Sequence, residues 1–380
     1  MPTPKFKEPE RAYGFDEVAL VPGDITINPE QTNTDFTLAG FTFPTPILAA
    51  AMDAIVDPAF AILIDKLGGL AVLNLEGLQT RYEKPEQVLD EITQAPDAEV
   101  TPLLQKVYSA PIKENFIGER IQAIKQAGAT CAVSVTPANT KRLSAVANEA
   151  GIDILVVQST VTSARHISKS YRGLIFSELR QMLSLPILVG NCVSYSAALE
   201  LMRTGIDGIL VGVGPGAACT TREVLGIGVP QVTATMDCAA ARETYLKETG
   251  KYVAVITDGG IRTGGDLCKA FACGADAVML GSILAQAKEA PGRGYNWGMS
   301  HPHPALPRGT RVKVSSSAPL EQILFGPTSV TDGTQNFVGA LRTALGVCGM
   351  SNIRDMHKVK MVIAPAIKTE GKYYQAIQSA

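Results

Sequence analysis

The sequence predicts an α/β fold, a single (β/α)8 barrel, and three observations predict it. Eight short apolar runs recur along the 380 residues, at 46–52, 69–74, 131–135, 154–159, 186–191, 208–214, 252–259 and 277–282. The runs are continuous rather than alternating, as suits parallel strands covered on both faces. Helix-length segments lie between them, so strand followed by helix repeats eight times. These segments are 57–67, 114–127, 138–150, a stretch within 161–183, 194–204, 221–225 with 236–248, and 265–273. An open doubly wound sheet is the alternative, because apolar runs alone do not say whether a sheet closes.

Seven of the eight runs close on residues that are expected to matter: Met52-Asp53, Asn74, Gln158, Asn191, Gly214 to Cys219, Asp258-Gly259-Gly260 and Gly281-Ser282. In a barrel the carboxyl ends of the strands build the active site, so these residues are expected at one mouth. Two segments exceed the repeat. Residues 76–115 hold more chain than one helix needs and read as a helix followed by an irregular loop. Residues 289–320 are rich in Gly, Pro and His, carry the only tryptophan, Trp297, and read as an active-site flap. A tail over about 350–380 reads as a packing strap.

Composition narrows the function. A 46% hydrophobic content supports a large core, and a formal net charge of −2 gives no basic field for nucleic acid. The chain shows no apolar run long enough for a membrane span and no signal-like N-terminus, so a cytoplasmic location is the expectation. Seven cysteines without a CxxC pair read as reduced thiols rather than a zinc site or a disulfide framework.

The stretch with the most chemistry is GILVGVGPGAACTTREVLGIGVPQVTAT, residues 208–235. An apolar strand delivers the chain to glycines at 212, 214 and 216, where bare backbone can approach a ligand or ion. Cys219 follows, with Thr220, Thr221 and Arg222 after it. A thiol beside hydroxyls and a guanidinium can be held partly as thiolate, and Cys219 is read as a nucleophile. The glycines at 259, 260 and 281 with Ser282, after strands seven and eight, suit a phosphate. Asp258 beside them suits the two hydroxyls of a ribose, so the ligand is expected to be a nucleotide.

The segments FDEVALVP (15–22), PILAAAMD (46–53), GLAVLN (69–74), GVGPGAACTTR (212–222), GIGVPQVTA (226–234), TDGGIRTGGD (257–266) and AVMLGS (277–282) closely resemble the IMP dehydrogenase/GMP reductase superfamily. The resemblance implies a purine nucleotide substrate, GMP or IMP, attacked at C2 by Cys219 with Thr221 assisting proton transfer. It implies a monovalent-cation site, potassium, on the carbonyls of Gly214, Gly216 and Cys219. It places the phosphate on Gly260, Gly281 and Ser282, the ribose on Asp258, and the purine near Met52, Gly298 and Met299, with Asn191 near the catalytic loop. Gln158, Ser159 and Thr160 are expected to face the nicotinamide coenzyme, and the assembly to be a homotetramer or homo-octamer. The CBS pair common after the second strand looks absent, since only residues 76–115 occupy that place.

The resemblance leaves two reactions, which differ in one step. Oxidation of IMP ends in hydrolysis, which needs a base to activate water. In the dehydrogenases that base resembles an Arg-Tyr pair on the flap, and no Arg-Tyr dipeptide occurs in 289–320, where SHPHPALPRGT stands. The expected activity is therefore NADPH-dependent GMP reductase, with IMP dehydrogenase and a silent nucleotide-binding regulator as the alternatives. Four departures from the pattern stand out: Leu75 for a lysine, Gln158 for an aspartate, Ala217 for a phosphate-binding serine, and Arg308 for the glutamate of the reductases. His301 and His303 are candidate stand-ins on the flap. Arg262, Arg293, Arg308 and Arg311 are candidate partners for a 2′-phosphate, favouring NADPH.

Overall fold

Eight parallel strands close into a barrel in chain order. In the computed structural model, which describes residues 7–167, 173–298, 305–307 and 309–364, they are β1 (Ile47–Ala49), β2 (Leu70–Asn74), β3 (Ala132–Val135), β4 (Ile154–Gln158), β5 (Ile187–Cys192), β6 (Gly208–Val211), β7 (Ala254–Asp258) and β8 (Ala277–Leu280). β8 returns to β1 with Val278 opposite Ile47 and Leu280 opposite Ala49, which excludes the open sheet. Every strand residue except Asp258 is buried, because side chains fill the interior on one face and helices cover the other. Gly208 shows how tight the fit is: a Cβ there would lie 2.6 Å from Leu188 Cδ2.

The helices that follow the strands are α1 (Pro58–Lys66), α2 (Glu114–Gln126), α3 (Thr140–Glu149), α4 (Phe176–Met182), α5 (Tyr195–Met202), α6 (Gln231–Thr249), α7 (Gly264–Ala272) and α8 (Phe337–Val347). Their starts follow local chemistry. Asp57, Ser194, Thr263 and Asn336 each cap a helix by accepting a backbone N–H three residues on. α6 begins at Gln231, five residues before its expected start. Val232, Thr233 and Thr235 disfavour helix on propensity, but Gln231, Val232 and Thr235 are buried, and that packing overrides the weak preference.

The expectation of an irregular loop in 76–115 is corrected by the structure. Two helices form, Pro85–Gln94 and Asp97–Tyr108, the second with Pro102 inside it. A proline normally breaks a helix, but Val100, Leu104, Val107 and Tyr108 lie on one face and are all buried. Within the segment after β8, Tyr295–Asn296 pairs antiparallel with Val312–Lys313. No described helix is long and apolar enough to cross a membrane.

Candidate active site

The carboxyl ends of the strands enclose one cavity of about 800 Å³. Its walls include Met52, Gln158, Ser159, Thr160, Asn191, Gly214, Gly216, Cys219, Thr221, Asp258, Gly259, Gly260, Gly281, Ser282 and Gly298, so the described candidate residues converge. Met299, His301, His303 and Arg308 lie outside the described residues. Two expected strand-end residues do not line the cavity. Asn74 is buried and its side chain accepts the Glu76 N–H at 2.9 Å. Asp53 is 1% exposed and accepts from Leu78 N at 2.9 Å and from the Tyr108 hydroxyl at 2.6 Å. Leu75 is wholly buried in the core.

Cys219 is the one cysteine of seven that is not buried. Burial pushes the thiols of Cys131, Cys268 and Cys273 up to about 12, which keeps them protonated at neutral pH. The Cys219 thiol donates to Thr221 Oγ1 at 3.1 Å, and Thr221 itself is 1% exposed at the start of the short helix Thr221–Leu225. Arg222 packs against the cysteine loop. Its stem lies across Gly214 and Gly228, and Nη2 donates to the Val229 carbonyl at 2.9 Å. Arg222 therefore shapes the loop.

A side chain that sequence reasoning passed over holds this loop to the next one. Gln231, 3% exposed, donates through Nε2 to the carbonyls of Val211, Asp258 and Gly259 at 3.0, 2.9 and 3.2 Å. The backbones approach so closely that a Cβ on Gly212 would sit 2.2 Å from the Asp258 carbonyl oxygen. Gly259 and Gly260 both have positive φ, +83° and +77°, and Pro215 packs over both. The PQ pair directly after the cysteine loop was the available signal for Gln231.

Asp258 stands half-buried on the cavity floor. Burial pushes its carboxyl up to about 6, opposed by hydrogen bonds from Asn191 Nδ2 at 2.8 Å and Gln158 Nε2 at 3.0 Å. Gln158 also donates to Asn191 Oδ1 at 3.0 Å, and its own Oε1 is buried with no donor. At the opposite wall Asn296, 1% exposed, donates to Ser282 Oγ at 3.0 Å, a second contact the sequence did not announce. The Gly216 carbonyl accepts the Cys219 N–H at 3.1 Å, so a cation at that oxygen would share it.

Of the four arginines considered for a 2′-phosphate, Arg308 lies outside the described residues and the other three are ion-paired. Arg262 is ion-paired with Asp16 and Asp266, Arg293 with Asp90, and Arg311 with Asp97. Among the described residues no cluster of His, Cys, Asp and Glu is arranged to hold a metal.

A family model described as IMP dehydrogenase / GMP reductase domain matches residues 12–300. The chain belongs to the IMP dehydrogenase/GMP reductase family. It is similar to uncharacterized oxidoreductases of Mycobacterium tuberculosis and Mycobacterium leprae, each 40% identical, covering 93% of this chain and 96% and 97% of theirs. It is 27% identical to the inosine-5'-monophosphate dehydrogenase of Methanocaldococcus jannaschii over 98% of this chain and 97% of that one. A crystal structure of an IMP dehydrogenase/GMP reductase-like protein from Corynebacterium glutamicum superposes with a TM-score of 0.90 at 36% identity, covering 95% and 96% of the two chains. The protein is thus an oxidoreductase of the IMP dehydrogenase/GMP reductase family, which acts on purine nucleotides with nicotinamide cofactors.

Proposed function

We propose that the protein is a GMP reductase, converting GMP to IMP and ammonia with NADPH through a covalent adduct between Cys219 and purine C2. One observation carries this choice within the family. Among the described residues lining the cavity, the titratable side chains are Cys219, Asp258 and Arg262. Arg262 is ion-paired, and Asp258 is the ribose acceptor of this reading, so neither is left to activate water. The segment does hold one arginine over a tyrosine ring, Arg311 on Tyr295 at 4.4 Å. That pair lines a separate cavity of about 480 Å³ beside Asp97, with the guanidinium committed to Asp97 and the Ile92 carbonyl.

In this reading the phosphate rests on Gly259, Gly260, Gly281 and Ser282, and the purine lies between Met52 and Gly298. The Cys219 sulfur bonds to C2 while its proton passes through Thr221 to the exocyclic amine, the C2–N bond breaks, and ammonia leaves. Gln158, Ser159 and Thr160 would hold the reduced nicotinamide, whose chemistry there would be hydride transfer to C2. The C2–S bond then breaks, IMP departs, and the thiolate takes up a proton. Gln158, Ser159 and Thr160 all line the cavity, which supports the coenzyme's placement, and the Gly214, Gly216 and Cys219 carbonyls are the proposed potassium ligands.

The test follows absorbance at 340 nm in potassium buffer, with GMP plus NADPH in one sample and IMP plus NAD in another. A fall in the first with IMP and ammonia as products is the expected result. A rise in the second would overturn it in favour of IMP oxidation. Nucleotide binding without change in either sample would identify a silent binder.

A further inference from the structure

We propose that Tyr108, a residue outside the cavity, is a positioning residue that holds the purine-facing segment of residues 296–298 against the barrel mouth. This rests on the purine nucleotide reading of the site. The Trp297 indole N–H donates to the Tyr108 hydroxyl at 2.9 Å, and that hydroxyl donates to Asp53 Oδ2 at 2.6 Å. The other carboxylate oxygen accepts the Leu78 amide at 2.9 Å. Trp297, Tyr108 and Asp53 are 1%, 3% and 1% exposed, so water does not compete for these bonds.

The chain of bonds has a direction and two ends on the cavity. An ionised Asp53 only accepts, so the Tyr108 proton points to it and the Tyr108 oxygen is left to receive the indole N–H. Asp53 directly follows Met52, and Trp297 lies between Asn296 and Gly298; Met52, Asn296 and Gly298 all line the cavity. One hydroxyl from the helix Asp97–Tyr108 therefore ties both walls between which the purine is placed. The fit around the carboxylate is close, since a Cβ on Gly77 would lie 2.3 Å from Asp53 Oδ1. The same two walls are joined again where Gly292 N donates to the Ala54 carbonyl at 2.9 Å.

Tyr108→Phe removes the hydroxyl and keeps the ring. Trp297 is the only tryptophan, so its emission reports on this segment directly. We expect the variant to shift that emission and to raise both the GMP dissociation constant, by equilibrium dialysis, and the GMP KM by about five- to tenfold, the effect of one buried hydrogen bond. kcat is expected to stay within about twofold. Trp297→Phe breaks the same chain from its other end and reads the same outcome if Tyr108→Phe does not fold; where both fold, the double variant should be no weaker than the worse single one. Wild-type GMP affinity in Tyr108→Phe, equal losses in kcat and kcat/KM, or additive losses in the double variant would overturn the positioning role. Failure of the wild-type protein to bind any purine nucleotide would overturn the functional reading and this inference together. Binding without turnover would remove only the proposed reaction, since dialysis still reads the effect of Tyr108.

Discussion

Asp258 and Asp276 stand at opposite ends of neighbouring strands, and the chain surrounds them in opposite ways. Asp258 ends β7 at the cavity and receives its bonds from two neutral amides, Gln158 and Asn191. Asp276 comes immediately before β8 at the other end of the barrel, 6% exposed. It meets the Arg242 guanidinium at 3.0 Å, the Tyr252 hydroxyl at 2.5 Å and the Val255 amide at 2.8 Å. Arg354 lies over the Tyr252 ring at 3.6 Å. Neutral donors orient a carboxylate and leave its charge for a ligand, whereas a guanidinium cancels it. The barrel thus leaves a carboxylate's charge open at one end and neutralises the same residue type at the other.

The contrast is sharpest for the group that belongs wholly to the mouth. Cys219→Ala should lower turnover by at least about 10⁴-fold while circular dichroism and the thermal midpoint stay at wild-type values. At the other end, Arg242→Ala strands Asp276 in the interior without its cation. The expected loss is about 3–5 kcal/mol of unfolding free energy in a urea titration, with GMP KM unchanged in the folded fraction. A large activity loss at unaltered stability would break the comparison.

Asp258→Asn should lower kcat/KM for GMP about 100-fold, chiefly through KM, because it removes a charged acceptor of two hydroxyls. Its stability should not fall. The folded pKa of Asp258 is raised from 3.8 to about 6, so its contribution to stability is complete below 3.8 and is lost as pH rises through 6. At pH 7.5 the wild type thus carries a buried charge that the variant lacks. For the same reason GMP affinity should strengthen as pH rises through about 6, and isothermal titration from pH 5 to 8 should find that rise absent in Asp258→Asn. The smallest effect belongs to a pair in neither network: Arg142→Ala, which loses an exposed bridge to Glu114, should change unfolding free energy by under about 0.5 kcal/mol.

The barrel was legible because its eight buried strands read as eight continuous apolar runs, and no helix could be mistaken for one at those lengths. The helix Asp97–Tyr108 was not legible, because Pro102 is the strongest local signal in it and the buried face that overrides it is only visible against a neighbour. At the site, residues that act through glycine backbone or a strand end were readable from position. Gln231, Asn296 and Tyr108 were not, because each works by reaching another segment, 20 to 28 residues away for Gln231 and 189 away for the Tyr108 to Trp297 bond. Asp53 misled for the complementary reason. It sits where a barrel places catalytic groups, yet its side chain is turned to Leu78 and Tyr108.

The absent side chain at Gly212 also bears on how this enzyme can change. With only 2.2 Å between the site of a Cβ and the Asp258 carbonyl, every other amino acid there would push the strand that leads to Cys219 away from Asp258. A library that randomises the cavity in search of new substrates would therefore spend its diversity uselessly at this codon. Variation is better placed at Ser159 and Thr160, which line the same cavity and where no such backbone approach stands in the way.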